Sequence, residues 1–192
     1  MRYDVSLRPA QQGDLPAIVA VYNHYVQHTA ATFEVRPVTV EERAPWLEAH
    51  SRGGAHRLIV AVDGDDDVRG WACTSEFRPR AAYGTTVEAS VYCRADSLAG
   101  GIGSRLYRSL FRAIEGEDLE RIVAGITLPN AASVELHRRF GFHQVGTFTR
   151  VGRKFGRFWD VAWFERPSHP EPDPPAPAAG IGSSDRGAPS FP

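Results

Sequence analysis

A glycine-rich turn in the middle of the chain has the composition of an anion-binding site. Residues 99–104 read Ala-Gly-Gly-Ile-Gly-Ser, and Leu106, Leu110 and Ile114 follow at four-residue steps, which predicts an amphipathic helix. Helix N-termini present N–H groups without intrahelical partners, and glycines let a phosphate approach the backbone closely. The turn has no Gly-Lys-Ser/Thr ending of a P-loop, and Leu106 replaces the third glycine of a dinucleotide fingerprint. The sequence therefore leaves two readings open, a pyrophosphate site of another kind or a plain connecting turn.

Glu88 lies in a segment that otherwise favours a β-strand. Alternation along this segment places Glu88, Ser90 and Tyr92 on one face and the apolar residues on the other. Glutamate is depleted in strands, so its presence needs a reason. A solvent-exposed face of the sheet would explain it. A carboxylate a few residues before an anion-binding turn would also be well placed as a general base.

His137 is a second candidate for proton transfer. It is one residue past Leu136, off the apolar stripe that Ala132, Leu136 and Phe140 predict for a short helix. A single histidine is more often a surface or core residue than a catalytic one. Histidine is nevertheless the side chain best matched to proton transfer near neutral pH.

No metal site is predicted from the sequence. His24 and His28 are four residues apart, but no Glu or Cys partner completes a ligand set. The acidic run 63–67 resembles the start of a calcium loop, but Val68 stands where that loop needs glycine.

The overall composition narrows the class of protein. With 22 basic and 23 acidic residues the net charge is −1, which argues against nucleic acid or an anionic membrane as the partner. Two cysteines, Cys73 and Cys93, cannot form a disulfide framework, which favours a cytoplasmic location. Residues 1–166 are expected to form one domain. Residues 167–192 hold eight of the 14 prolines and are expected to be a disordered tail.

The elements that must position these residues follow the order β-α-α-β-β-β-α-β-α-β-β. Strands are predicted at 5–8, 58–62, 68–77, 85–93 and 121–127, with two more in 142–164 joined near 151–155. Helices are predicted from Asp14, over 40–50 with Thr39 as cap, after the glycine turn, and from Asn130 to Gly141. This order indicates a mixed α/β (α+β) fold with early antiparallel hairpins and one late β-α-β crossover.

These features together resemble the GNAT superfamily of N-acetyltransferases, and more narrowly its phosphinothricin and methionine sulfoximine N-acetyltransferases. The resemblance covers residues 3–166 and is carried by the order and spacing of several short motifs, at 21–25, 32–33, 80–83, 87–92, 101–107, 125–130, 133–134, 137, 141–142 and 159–161. It implies a mostly antiparallel sheet of about seven strands flanked by four helices, with acetyl-CoA bound between splayed central strands. We also expect a homodimer.

The resemblance further implies a set of site residues. The pantetheine amides would pair with the backbone of Val91, Tyr92 and Cys93, and Asn130 would hydrogen-bond the pantetheine arm. The backbone amides that would hold the pyrophosphate are those of Ala99, Gly100, Gly101, Ile102, Gly103 and Ser104. Glu88 would be the general base, and His137 or a nearby tyrosine the acid that protonates the departing thiolate. N–H donors of a bulged strand would stabilise the oxyanion.

The donor loop departs from the superfamily pattern in one respect. It begins Leu98-Ala99-Gly100, where other members usually carry Gln or Arg and a basic residue. The pyrophosphate would then depend on backbone amides and the helix end, with Arg94 and Arg105 as distant partners. Weaker donor binding and another basic residue in this role are the two alternatives.

The expected acceptor is the α-amine of a small amino acid or analogue, attacking the thioester directly. Phe33, Arg80 and Tyr83 are predicted to contact it. For Arg78 the sequence supports a contact with the acceptor and a plain surface position equally. A peptide N-terminus or a polyamine as acceptor, and a non-catalytic acyl-CoA-binding module, remain alternatives.

Overall fold

The computed structural model describes residues 4–50 and 53–169, except the side chains of Leu98 and Ala99. Its elements, in chain order, are β1 (Ser6–Pro9), α1 (Leu15–His28), α2 (Val40–Glu48), β2 (Leu58–Val62), β3 (Val68–Glu76), β4 (Thr86–Cys93), α3 (Ile102–Ala113), β5 (Arg121–Leu128), α4 (Ala131–Arg139), β6 (His143–Lys154) and β7 (Arg157–Pro167). Most of the predicted tail, from residue 170 onward, lies outside the described residues.

All seven strands form one sheet in the order β1-β2-β3-β4-β5-β7-β6. Neighbouring strands are antiparallel except β4 and β5, which are parallel and joined by the crossover through α3. The predicted fold class and element order are therefore confirmed. None of the described helices is long and apolar enough to cross a membrane.

The two faces of the sheet are covered by different helices. On one face α1 and α2 pack on Trp71 and Tyr92, whose rings lie 4.7 Å apart. On the other face α3 buries Leu106 and Leu110 against strand residues such as Val87. Glu88, two residues from Ser90 and four from Tyr92 on the same strand, therefore belongs to the face of α1 and α2.

The helix starts follow local rules that the sequence displays. The hydroxyl of Thr39 accepts a hydrogen bond from the N–H of Glu42, and the Glu42 carboxylate accepts one from the N–H of Thr39, which forms the capping box of α2. Asp14 precedes α1, but its carboxylate binds the Arg8 guanidinium at 2.6 Å and caps no N–H of α1.

Two local predictions were wrong. The β6–β7 turn lies at Phe155 and Gly156, later than the sequence indicated. Both residues have positive φ values, 51° and 73°, as a two-residue hairpin turn of type I′ requires. In α4, Leu136 and Phe140 of the predicted stripe pack half-buried against the core, but Ala132 is exposed, and His137, predicted off the stripe, is the most buried residue at 3% exposure.

Candidate active site

The central feature of the site is a separation of two parallel strands. β4 and β5 are paired in register at Thr86–Arg121, Val87–Ile122 and Glu88–Val123, and no further pair is formed although both strands continue, as the described residues show. Backbone N–H and C=O groups need partners. The edge of β4 beyond Glu88 is therefore open toward β5 and can receive an extended ligand with amide groups.

Glu88 stands at the start of this opening. It is half-buried and directly opposite Ser75 on β3. Glu88 therefore does not lie on a fully solvent-exposed face of the sheet. Burial raises the pKa of the Glu88 carboxyl, and the positive charge of Arg78 partly offsets that rise. Such a carboxylate binds a proton more readily than an exposed one, which suits a general base.

The glycine turn is built around one left-handed residue. A short 3-10 helix (Ala95–Gly100) leads into Gly101, which has φ of 72° and precedes α3. The N–H of Arg105 donates to the Gly101 carbonyl at 3.2 Å. The N–H groups of Ile102, Gly103 and Ser104 come earlier in the helix and have no partner within it, so they form an anion site at the helix end.

Asn130 is placed where the sequence predicted, at the start of α4. Its Oδ1 accepts a hydrogen bond from the N–H of Ser133 at 3.1 Å. The helix cap uses the amide oxygen only, which leaves the Nδ2 group able to donate to a ligand. Gly103 lies against Leu136, since an added Cβ would be 3.3 Å from Leu136 Cδ2, so the starts of α3 and α4 are neighbours.

A cavity of about 570 Å³ lies beside the paired ends of β4 and β5. Arg78 and Tyr83 line it together with Thr86 and Val123, the latter being the partner of Glu88 in the strand register. The remaining wall comes from Phe77 and the final hairpin, including Val145, Phe148 and Trp163. The sequence analysis missed these hairpin residues because nothing local indicates that a late strand pair faces an earlier loop.

The comparisons with known proteins agree with this geometry. Residues 7–163 match the family model of the acetyltransferase (GNAT) domain. The chain is 51% identical over 165 residues to a phosphinothricin N-acetyltransferase of Streptomyces coelicolor, covering 85% of this chain and 96% of that protein. It is 39% identical to an L-methionine sulfoximine/L-methionine sulfone acetyltransferase of Pseudomonas paraeruginosa, covering 83% of this chain and 92% of that protein. A crystal structure of a GNAT superfamily phosphinothricin acetyltransferase from Sinorhizobium meliloti, in complex with acetyl-CoA, superposes with a TM-score of 0.79 at 33% identity, covering 85% and 88% of the two chains.

The chain belongs to the GNAT acetyltransferase family. It is an acetyl-CoA-dependent N-acetyltransferase.

The β4 strand of this acetyltransferase has no bulge, contrary to our expectation. β3 and β4 keep one register from Gly70–Cys93 to Glu76–Val87. The register is fixed by close contacts, because a Cβ on Gly70 would lie 2.9 Å from the Tyr92 carbonyl oxygen. The expected oxyanion donors of a bulged β4 strand are therefore not present as predicted.

The Cys93 carbonyl, predicted to serve the pantetheine arm, already has a partner in this acetyltransferase. The hydroxyl of Tyr25 donates to it at 2.6 Å, and the Tyr25 ring meets the Tyr92 ring edge-on. No local pattern predicts this contact, because α1 and β4 are far apart in the chain.

Arg94 and Arg105, the candidate basic partners of the pyrophosphate, both contact protein groups. Arg94 forms an ion pair with Asp96 at 2.9 Å, and a guanidinium nitrogen of Arg105 donates to the carbonyl of Val5. The helix-end amides are thus the donors that the structure offers to a pyrophosphate most directly.

His137 is enclosed by aromatic rings rather than placed at a surface. Its Nδ1 donates to the carbonyl of Ser133 at 2.7 Å, so its Nε2 accepts the hydroxyl proton of Tyr107 at 2.8 Å. Burial lowers the pKa of the His137 imidazole, and at neutral pH the ring is uncharged. A role for His137 in proton transfer therefore involves Tyr107, which is itself fully buried.

Phe33 and Arg80 are not among the residues that line the cavity. Arg80 is exposed at the start of a short 3-10 helix (Ala81–Tyr83), and Phe33 lies in the α1–α2 loop against the final hairpin. The structure brings Tyr83 and Arg78 to the cavity, whereas Arg80 is not among its lining residues.

Proposed function

We propose that this acetyltransferase transfers the acetyl group of acetyl-CoA to the α-amine of a small amino acid or an analogue such as phosphinothricin or methionine sulfoximine. The observation that carries the proposal is the position of Glu88, at the last β4–β5 pair and next to a cavity that holds Arg78 and Tyr83. The names of the relatives favour the same class of acceptor.

The donor is held mainly by backbone groups in this proposal. Of the β4 residues predicted for the pantetheine arm, Val91 presents its backbone groups to the open edge and matches an amide of that arm. The backbone groups of Tyr92 face Trp71 on β3, because sides alternate along the strand from the Arg94 N–H that donates to the Arg69 carbonyl. The Nδ2 group of Asn130 supplies a further donor. The N–H groups at the start of α3, from Ile102 to Ser104, match the pyrophosphate.

The acceptor amine must lose a proton before it attacks the thioester, because α-amines titrate at about 8. Glu88 takes that proton, directly or through water, and general base assistance of this kind contributes about 10²–10⁴-fold. The Arg78 guanidinium suits the acid group of the acceptor.

The acetyl group passes directly to the amine, with no acetyl-enzyme. Burial raises the pKa of Cys73 to about 11 and that of Cys93 to about 12, so neither thiol supplies the thiolate that a covalent route needs. The departing thiolate of CoA takes up one proton. Glu88, which has taken the proton of the amine, can return it; the Tyr107–His137 pair can supply it only if the Tyr107 hydroxyl leaves Nε2 of His137 and turns toward the thiolate.

We propose that the enzyme acts as a cytoplasmic homodimer. β6 is an edge strand exposed over nearly its whole length, and the hairpin carries five large apolar side chains that are 46–57% exposed, namely Val145, Phe148, Val151, Phe155 and Phe158. Edge strands and apolar patches of this kind are covered by partners in stable proteins. Light scattering on the purified protein should give twice the mass of the chain.

Release of CoA thiol over a panel of amines tests the proposed reaction. Phosphinothricin and methionine sulfoximine should be acetylated on nitrogen, whereas spermidine and a peptide N-terminus should react at least ten-fold more slowly. Preference for spermidine would move the assignment to polyamines. Tight CoA binding in calorimetry without thiol release for any amine would instead indicate a binding module.

A further inference from the structure

Phe33 packs directly on the backbone of the final hairpin. A Cβ added at Gly152 would lie 2.3 Å from two ring carbons of Phe33, Cε2 and Cζ. Real Cβ atoms do not come that close, so the ring occupies the space that any other residue at position 152 would need. The absence of a side chain at Gly152 is thus a condition for the position of Phe33.

Lys154 binds the same loop two residues further along β6. Its Nζ donates to the Thr32 carbonyl at 2.8 Å, and the residue is 5% exposed. Lysine is rarely this buried, because an ammonium group loses hydration unless it is hydrogen-bonded. The Thr32 hydroxyl in turn shares a 2.7 Å hydrogen bond with Tyr22 on α1.

These contacts join the two halves of the splayed sheet. The α1–α2 loop belongs to the half that contains β4, since the Tyr22 ring lies 5.3 Å from the Tyr92 ring. β6 belongs to the other half, in the order β5-β7-β6. Gly152 on β6 is paired with Trp159 on β7. The next residue of β7, Asp160, is paired with Leu128 at the end of β5. The loop therefore crosses the open ends of β4 and β5.

We propose that Thr32, Phe33, Gly152 and Lys154 form a latch that holds the α1–α2 loop across the cleft. The latch fixes Phe33 beside the open ends of β4 and β5, outside the cavity that Arg78 and Tyr83 line, as an additional wall that the acceptor contacts where it meets the donor. Gly152 and Lys154 are positioning residues in this latch and do not touch the substrate. The Phe33 ring remains 37% exposed and so keeps surface for a ligand. The acceptor part of this inference rests on the proposed function, whereas the latch itself does not.

Hydrogen–deuterium exchange of residues 29–38 tests the latch without any assay of activity. Gly152→Ala displaces the Phe33 ring, and Lys154→Met removes the donor to Thr32 while keeping most of the length of the side chain. Both should speed exchange of the loop amides at least ten-fold. Two control variants should leave it unchanged: Gly64→Ala, where an added Cβ meets no atom within 4 Å, and Arg153→Met, which removes the neighbouring exposed charge. Unchanged exchange in both latch variants would overturn the proposal.

Kinetics then test what the latch does. Gly152→Ala should raise the acceptor KM at least ten-fold and leave the donor KM within two-fold, and adding it to Phe33→Ala should have less than a two-fold further effect. If loop exchange rises but the acceptor KM does not, Phe33 is not a wall of the acceptor site. If the wild-type enzyme acetylates none of the amines tested, the proposed function fails, and the exchange experiment still decides the latch.

Discussion

Glu88 and Val123 form the last backbone pair between the parallel strands β4 and β5, and the strands separate beyond them. The proposed general base therefore lies where the sheet opens to admit the donor. The cavity with Arg78 reaches the same point from the other side, because Val123 lines it. In the proposed reaction, one position in the sheet would thus meet both substrates.

Arg78 should matter for the acceptor more than Arg80 does. Arg78→Met removes a guanidinium that lines the cavity, and losing a charged hydrogen bond costs about 1.5–3 kcal/mol, which is about a 10- to 100-fold rise in acceptor KM. Arg80→Met removes the same charge from an exposed site outside the cavity and should change the acceptor KM less than two-fold. Equal effects of the two variants in steady-state kinetics would mean that the acceptor does not use the cavity.

The pH dependence of kcat/KM should report the environment of Glu88. The base is active as the carboxylate, so activity falls as the pH drops through its pKa, and burial places that limb above the range of an exposed glutamate. The Arg78 charge lowers this pKa, so Arg78→Met should move the limb to higher pH. A limb that moves to lower pH, or stays in place, would show that it belongs to another group.

The Tyr107–His137 pair should be needed for turnover as well as for stability. Tyr107→Phe leaves Nε2 of His137 without a donor, and an unsatisfied buried group costs about 1–3 kcal/mol of unfolding free energy. If the pair also protonates the thiolate, kcat at 25 °C should fall about ten-fold or more in Tyr107→Phe and in His137→Gln, with both KM values unchanged. A lower Tm with unchanged kcat in the folded enzyme would make the pair purely structural.

The sequence predicted what local pattern encodes. The alternation around Glu88, the capping box of Thr39 and the apolar spacing in α3 each placed an element within a few residues of its position. The order and spacing of the motifs also indicated the family. Many of the motif residues lie at the ends of strands and helices, which the fold brings together.

What the sequence could not predict depends on contacts between distant segments. His137 is buried because Tyr107, 30 residues earlier, offers its hydroxyl, and helical periodicity contains no sign of that. Arg78 lines the cavity and Arg80 does not, and this difference likewise depends on how the loop before β4 meets the final hairpin. The latch joins Thr32 to Lys154, 122 residues apart.

Turnover and donor binding of Glu88→Gln test the central claim most directly. The amide keeps the size of the side chain and cannot take a proton from the amine. The account predicts a fall in kcat of about 10²–10⁴-fold, loss of the acidic limb, and a Kd for acetyl-CoA within two-fold of wild type in calorimetry. A kcat within two-fold of wild type, or a parallel loss of donor binding and turnover, would contradict the assignment of Glu88 as the base.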